Sequence, residues 1–294
     1  MHFSRKNVVV LLKGGLGNQL FQYAAGKSLA IRLGVHLILD LNWYIDNEKD
    51  HTKCILKKFN INDQYFKPPS FFPRKFRSAL YKLVEKSSTL GLANPVIREV
   101  RQNFDQRLLD VDYPVILDGY WQNELYFHQY RKQIIEYFQL KEKMDFQNKK
   151  LLNQIKAVNS VCIHIRRGDY VTDLAAANIH GTCSIEYYSN AIELLSSSIE
   201  APHFYIFSDD YEWVKSNITI NYKSIFVDHN LMKPEIDFIL MKSCKHFIIA
   251  NSTFSWWAAW LSEYNNKEVY APINWFASEE LTSKDLVPKN WIRL

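Results

Sequence analysis

Short apolar runs alternate with longer amphipathic stretches along much of the chain, most regularly in its carboxyl-terminal half. There the runs predict buried strands, and the stretches between them predict helices. The predicted strands are 161–165, 203–207, 224–227, 246–250 and 268–271; the predicted helices are 184–195, a short one around Trp213, 234–244 and 255–261. Strands that alternate with helices indicate an α/β fold with a doubly wound parallel sheet and right-handed crossovers.

A second α/β pattern opens the chain. Residues 8–12 predict a strand, 19–33 a helix that Gly34 ends, and 35–40 a second strand. The glycine-rich turn at 14–19 lies between the first strand and the helix. Its glycines bring backbone amides close to the helix start, where a ligand can bind, or they simply satisfy the dihedral angles of a strand-to-helix turn.

The same unit partly matches a dinucleotide-binding fingerprint. Gly15 and Gly17 fit the first two glycines of G-x-G-x-x-G, and Asp40 ends the second strand, but Leu20 occupies the third glycine position. A nicotinamide-dependent oxidoreductase is therefore one alternative, with weak support.

Residues 114–117 predict a further strand, which leads into Tyr120 and Trp121 and then a helix over 124–138. The two aromatic side chains either pack in the interior or stack on the apolar face of a sugar. A non-catalytic sugar-binding protein is thus a second alternative. The lysine-rich stretch 141–156 predicts a helix that joins two halves, so we expect domains over residues 1–156 and 157–294.

Composition limits the cellular compartments and the classes of binding partner that this chain could have. The 294 residues carry a net charge of +5 and are 47% hydrophobic and 15% aromatic, which is typical of a globular protein. No basic block predicts nucleic-acid binding, and no apolar run is long enough for a membrane span. Four widely spaced cysteines favour a reducing compartment. We expect a cytoplasmic protein, which a basic surface would allow to bind peripherally at the cytoplasmic membrane face.

Polar side chains cluster where the carboxyl-terminal strands end. The cluster contains Arg166, Arg167, Asp169, Ser208, Asp209, Asp210, Asp228, His229, Asn251, Ser252, Thr253 and Ser255. Ligands of doubly wound sheets bind at the carboxyl ends of the strands, so the sequence predicts a ligand site at this edge. An ion-pair cluster is the structural alternative for the two arginines.

Residues 251–255 lie between a predicted strand and a predicted helix, with Ser255 as the expected N-cap. Hydroxyls and free amides at a helix start bind anions, particularly a diphosphate, and arginine opposite them stabilises a diphosphate that departs. No Walker lysine is present, which disfavours phosphoryl transfer from ATP. Asp237, in the first turn of a predicted helix, is either a solvated acid or a carboxylate that reads the N–H groups of guanine.

Asp110 and Asp112 have the D-x-D form of a divalent-metal site, but they precede a predicted strand instead of following one. We interpret them as a solvated turn.

Four motifs together resemble the alpha-1,2-fucosyltransferase family. They are 14–23 (GGLGNQLFQY), 164–170 (HIRRGDY), which contains the H-x-R-R-x-D motif, 207–210 (FSDD) and 249–260 (IANSTFSWWAAW). The resemblance implies a GT-B architecture of two Rossmann-like domains facing a cleft. It also implies inverting transfer of L-fucose from GDP-fucose to the 2-hydroxyl of a terminal galactose on an oligosaccharide or glycolipid-linked glycan, with no cofactor and no metal. A fucosyltransferase of another linkage is a further alternative.

The resemblance also assigns residues. It implies that Arg166 holds the β-phosphate and that Asn18 faces the reaction centre. It assigns no general base: Asp169 is our first choice, with orientation of the arginines as the alternative role for it, and Asp118 and Asp173 are the other candidates. Donor-binding positions are His164, Arg166, Asp237, Asn251, Ser252, Thr253, Phe254, Ser255, Gly15 and Gly17. We expect Trp121 and Tyr120 to bind the acceptor, whose identity loops 67–74 and 173–183 would set.

Overall fold

The computed structural model describes residues 6–47, 53–67, 95–100, 103–278, 281, 283 and 285–294. The chain divides into two compact units, residues 1–139 and 140–294. This boundary precedes the lysine-rich helix Phe146–Ala157, whereas the boundary expected from the sequence, between residues 156 and 157, lies at the end of that helix.

Unit 1 contains a five-stranded parallel sheet with the order β3-β2-β1-β5-β4. Its strands are β1 (Asn7–Leu11), β2 (His36–Asp40), β3 (Gln64–Phe66), β4 (Val96–Arg98) and β5 (Ile116–Asp118). Its helices are α1 (Leu16–Leu33), α2 (Asn42–Asp46), α3 (Arg107–Asp110) and α4 (Arg131–Tyr137), with 3-10 turns at Leu56–Lys58, Glu124–Tyr126 and His128–Tyr130.

Close packing of α1 on this sheet fixes the position of the glycine turn. The β1 valines Val8, Val9 and Val10 are fully buried. A Cβ atom at Gly26 would lie 2.2 Å from Cγ2 of Val10, so only glycine permits this approach of helix to sheet. The chain order changes direction between β1 and β5, which makes their carboxyl ends a topological switch point.

Unit 2 contains a six-stranded parallel sheet with the order β11-β10-β9-β6-β7-β8. Its strands are β6 (Asn159–Ile165), β7 (Pro202–Ser208), β8 (Ser224–Phe226), β9 (His246–Ile248), β10 (Val269–Ala271) and β11 (Ile292–Arg293). Its helices are α5 (Phe146–Ala157), α6 (Gly168–Thr172), α7 (Leu174–His180), α8 (Ile185–Ser198), α9 (Tyr211–Asn217), α10 (Pro234–Lys242) and α11 (Thr253–Leu261). The order is that of a Rossmann sheet, with its switch point between β6 and β9.

Buried aromatic packing fixes α11 at this switch point. Trp256 and Trp257 are fully buried, with ring centroids 5.2 Å apart, and the indole N–H of Trp256 donates to the carbonyl of Leu286 at 2.9 Å. A helix anchored along its length holds its amino end in a constant place, which suits a binding site.

The structure confirms the α/β class and the doubly wound carboxyl-terminal sheet, with small differences in element ends. It differs at 173–183, expected as a loop, where α7 forms because Asp173 caps it by accepting from the N–H groups of Ala175 and Ala176. Loop residues 68–74 lie outside the described part of the chain. None of the described helices is both long enough and apolar enough to span a bilayer.

Candidate active site

Arg166 follows β6 at the carboxyl edge of the second sheet. The register pairs Ile165 with Ser208, so the next residues along the two strands, Arg166 and Asp209, are neighbours. Nη1 of Arg166 lies 2.8 Å from Oδ2 of Asp209, and Nη2 lies 2.7 Å from Oδ1 of Asp169. Burial disfavours the charged guanidinium, but the two carboxylates outweigh it and raise the pKa of Arg166. Arg166, the side chain predicted to bind an anion, is therefore positively charged and held between two carboxylates.

Asp209 is the member of this cluster whose role sequence reasoning missed. Its Oδ1 accepts the backbone N–H of Arg167 at 2.8 Å, in addition to the Arg166 ion pair. The side chain of Arg167 pairs with Asp210 at 3.1 Å and lies 3.8 Å from the ring centroid of Trp213. The sequence could have predicted this contact, because Asp209 directly follows β7, and β7 lies beside β6 in the sheet.

The serine-rich turn meets the same edge at the amino end of α11. Ser252 is the N-cap, and its hydroxyl accepts the N–H of Phe254 at 3.3 Å. The expected N-cap was Ser255, which is wrong because the helix begins at Thr253. Ser255 is fully buried and donates to the carbonyl of Ser252 at 3.2 Å, so its hydroxyl is not presented to a ligand. The N–H groups of the first turn lack carbonyl partners within the helix and give this end its affinity for anions.

Asn251 has a different role from the predicted one. Its side-chain amide donates to the carbonyls of His180, Gly181 and Trp275 at 2.9, 3.2 and 3.1 Å, and its oxygen accepts the thiol of Cys183 at 3.5 Å. The side chain is buried and its hydrogen-bonding groups are used within the protein. Asn251 therefore anchors the segment after α7 and does not offer its side chain to a donor.

His164, near the carboxyl end of β6, places a buried imidazole beside the first turn of α11. The side chain is 6% exposed, its ring centroid lies 5.7 Å from that of Phe254, and Nδ1 has no hydrogen-bond partner in the structure. Burial lowers the pKa of His164 to about 4, despite the nearby Asp209 carboxylate. The imidazole is therefore neutral at pH 7, and it adds no charge to the arginine cluster.

Asp237 lies in the first turn of α10 at the end of a polar network. Asn230 donates to Oδ1 of Asp237 at 2.9 Å, and the side-chain amides of Asn230 and Asn148 donate to each other at 2.9 and 3.0 Å. Burial is the main reason why the pKa of Asp237 rises from 3.8 to about 7. The neighbouring Phe238 ring lies 5.7 Å from that of Phe254, which links this carboxylate to the α11 turn.

The glycine turn of unit 1 is held open by buried side chains of α1. Gly14 has a φ of +80°, a conformation that favours glycine, and its carbonyl accepts from Nε2 of Gln19 at 3.0 Å. Gly15 is exposed, and a Cβ atom there would meet nothing within 4 Å. Asn18 accepts from the amide of Gln122 at 2.9 Å, while Gly17 is buried. The turn therefore presents the backbone at Gly15 and the side chain of Asn18.

Trp121 and Tyr120 differ in what they offer an acceptor. Trp121 is fully buried in a left-handed conformation, with a φ of 57°, so its ring has no face for a sugar and the prediction for this residue is wrong. The Glu99 carboxylate accepts the backbone N–H groups of both residues, at 2.7 and 3.0 Å, and holds the turn. Tyr120 is only partly buried, with the Lys13 ammonium 5.1 Å from its ring centroid.

The alternative bases have other partners. Asp118 pairs with Lys13 at 3.0 Å and with Arg98 at 3.2 Å, and Asp173 caps α7. Each carboxylate is therefore engaged in a structural contact. Asp169, by contrast, is 45% exposed and contacts only one end of Arg166.

The cofactor alternatives find little support. Asp40 is buried and accepts the N–H of Asn42 at 2.8 Å, so it does not present its carboxylate to a ribose. Asp110 and Asp112 are exposed, and Asp110 accepts from Gln106. Across the described ranges, no group of three or more His, Cys, Asp or Glu side chains is placed to hold a metal ion.

Comparison with known proteins identifies the family. Residues 7–294 match the profile of glycosyl transferase family 11. The chain is 36% identical to an alpha-1,2-colitosyltransferase of Escherichia coli over 98% of both chains. It is 31% identical to the O-antigen biosynthesis glycosyltransferase WbnK of Escherichia coli, over 96% of this chain and 99% of that one.

A bovine galactoside 2-alpha-L-fucosyltransferase, SEC1, is 28% identical over 50% of this chain and 42% of its own. In fold, the chain is similar to POFUT1 in complex with GDP-fucose, with a TM-score of 0.50 and 13% identity over 98% of both chains. These similarities confirm the predicted family resemblance and the GT-B architecture.

Proposed function

The chain belongs to glycosyl transferase family 11, and we propose that it is an inverting transferase that moves L-fucose from GDP-fucose to the 2-hydroxyl of a terminal galactose. The acceptor is an oligosaccharide or a glycolipid-linked glycan. In this proposal unit 2 binds the donor and unit 1 mainly binds the acceptor.

One observation carries the proposal: Arg166 and the amino end of α11 follow adjacent strands, β6 and β9, at the switch point of a Rossmann sheet. Their two positive fields suit the diphosphate of a nucleotide sugar, whose negative charge grows as the sugar leaves. When the sugar is transferred, the whole nucleoside diphosphate leaves and no phosphoryl group moves. The protein therefore has to stabilise the negative charge on the departing diphosphate. The first turn of α11 contributes backbone N–H groups, and Ser252, whose hydroxyl accepts the N–H of Phe254, fixes the turn that presents them.

Asp237 supports guanine as the base. Asn230 occupies one carboxylate oxygen, Oδ1, and a carboxylate can accept the ring and exocyclic N–H groups of guanine in a way that adenine cannot match. His164 and Phe254 lie between this position and Arg166, and they supply a neutral, largely apolar wall.

Asp169 is the proposed general base, because it is the most exposed carboxylate beside Arg166. The acceptor hydroxyl loses its proton to Asp169 as its oxygen attacks the anomeric carbon. The bond from that carbon to the diphosphate breaks at the same time, and GDP departs with the electron pair. In unit 1, Tyr120, Asn18 and the Gly15 backbone are the proposed acceptor-facing groups.

A second candidate donor follows from the 36% identity to a colitosyltransferase. Colitose is fucose without its 3-hydroxyl group, so both donors present the same diphosphate and base. They differ only in whether a polar group of the protein must pair with that hydroxyl. We place the reaction in the cytoplasm because the four cysteines are free thiols.

The first experiment is binding of the nucleotide. GDP should stabilise the protein against heat, while ADP and NAD should not. Equal stabilisation by ADP would contradict the recognition of guanine. Stabilisation by NAD alone would contradict the proposed function.

The second experiment identifies the sugar and the linkage. The protein is incubated with GDP-fucose or GDP-colitose and a panel of galactosides, and the products are analysed by mass spectrometry and methylation analysis. Transfer of fucose to the 2-hydroxyl of galactose supports the first candidate, and exclusive transfer of colitose supports the second. Release of sugar without a transfer product from any galactoside would contradict the proposed acceptor.

A further inference from the structure

The cluster around Arg166 carries more negative than positive charge. Arg166 and Arg167 face three carboxylates, those of Asp169, Asp209 and Asp210, at distances of 2.7 to 3.1 Å. A nucleotide diphosphate adds at least two negative charges at the same edge. The arginines of this cluster are therefore already neutralised, and bringing a diphosphate beside them requires that one carboxylate leave.

The two carboxylates on Arg166 are held unequally. Asp209 makes two contacts, to Nη1 of Arg166 and to the N–H of Arg167, and it is packed against Gly168, where a Cβ atom would lie 2.6 Å from its Oδ2. Its side chain is 27% exposed. Asp169 pairs only with Nη2 of Arg166, and its side chain is 45% exposed on the five-residue helix α6. Asp169 is the carboxylate that can leave.

We propose that the donor diphosphate displaces the carboxylate of Asp169 from Arg166, while Asp209 continues to hold the other end of the guanidinium. Asp169 is thus a latch that occupies a phosphate position in the free protein and is released by the donor. This inference rests on the proposed function and deepens it.

Release gives Asp169 its second role. Once Nη2 of Arg166 binds phosphate, the Oδ1 atom of Asp169 that accepted from it is free to accept the proton of the attacking hydroxyl. The base is therefore freed only when a donor is present, which places donor binding before activation of the acceptor.

The test compares two substitutions on the same guanidinium that have opposite expected effects. GDP affinity is measured by isothermal titration calorimetry for the wild-type protein, Asp169→Asn and Asp209→Asn. Asp169→Asn should bind GDP about two- to fivefold more tightly, because the diphosphate no longer has to break an exposed ion pair in order to reach Arg166. Asp209→Asn should bind at least about tenfold more weakly, because Arg166 and the backbone of Arg167 lose their anchor.

Glu212→Gln is the matched control for the change in overall charge. Glu212 is 90% exposed and pairs with Lys215, so its removal should leave GDP affinity unchanged. Asp169→Ala repeats the test without an amide that can still contact Arg166. Thermal unfolding of each variant verifies that it is folded.

Asp169→Asn should also lower the turnover number while it tightens GDP binding, a combination that a merely structural brace would not produce. Unchanged or weaker GDP binding by both Asp169 variants, with normal binding by the wild type, overturns the latch alone. An absence of GDP binding by the wild type overturns the proposed function and the latch with it.

Discussion

Asp237→Asn should make the protein more stable at alkaline pH. Folding raises the pKa of this carboxyl from 3.8 to about 7, mainly because the group is buried. The folded protein therefore holds the proton more tightly than the unfolded chain does. Stability from this group is fully present below about pH 4, falls between about pH 4 and 7, and does not recover above that range.

A pKa difference of this size corresponds to about 4 kcal/mol. Asp237 is partly exposed, and water at its open side reduces the effect, so we expect about 2 kcal/mol at alkaline pH. Asparagine has nearly the same shape, and its oxygen can still accept from Asn230. The variant therefore removes the charge and keeps the hydrogen bond.

The assay is urea unfolding of the wild type and Asp237→Asn at about pH 4.5, 6 and 8.5. The stability advantage of the variant should grow with pH up to about 7 and then level off. Asp228→Asn, which changes an exposed acid on the loop before α10, is the matched control for the loss of one negative charge and should show no comparable advantage. A variant that is no more stable than the wild type at about pH 8.5, or whose advantage does not depend on pH, would refute the reasoning.

The same substitution should weaken GDP binding. A buried carboxylate whose ionisation lowers the stability of the fold is a candidate for ligand binding, and guanine is the ligand proposed for Asp237. Only the ionised form accepts two guanine N–H groups, so wild-type affinity for GDP should increase as pH rises through about 7, and that of Asp237→Asn should not.

Three further predictions concern the phosphate site. Arg166→Ala should lower the turnover number by about 10²- to 10³-fold, measured with saturating GDP-fucose, because it removes a donor to the departing diphosphate; a near-normal rate would exclude Arg166 from the reaction. Gly168→Ala should lower transfer at least about tenfold, because a Cβ atom 2.6 Å from Oδ2 of Asp209 displaces that carboxylate; a wild-type rate in that variant would show that the position of Asp209 is not needed. Transfer should continue at its full rate in excess EDTA, since Arg166 and the α11 amides supply the positive field; a strict requirement for Mn²⁺ or Mg²⁺ would contradict this.

The sequence predicted the strands and the edge of the sheet better than the partners of single side chains. Strand β6 was predictable because 161–165 is an apolar run, and its carboxyl end had to meet those of the neighbouring parallel strands. Helices α6 and α7 were not predicted, because the exposed Leu174 and the alanines around it give no periodic apolar face.

The corrections at Ser255, Asn251 and Trp121 have two causes, a misplaced helix start and contacts with residues distant in the sequence. Ser255 was the wrong N-cap because a helix start can be misplaced by two residues from sequence alone. Asn251 is anchored by residues more than twenty positions away, at His180, Gly181 and Trp275, and no local pattern predicts such contacts. Trp121 is buried because Glu99, which precedes it by 22 residues, holds its backbone in a left-handed turn.

A crystal structure of the protein with bound GDP tests the central claim most directly. We predict that phosphate oxygens lie about 3 Å from the guanidinium of Arg166 and from backbone N–H groups in the first turn of α11. Asp169 should have moved away from Nη2, and Asp237 should face the guanine. A diphosphate bound at any other edge, with Arg166 still paired to both carboxylates, would contradict the account.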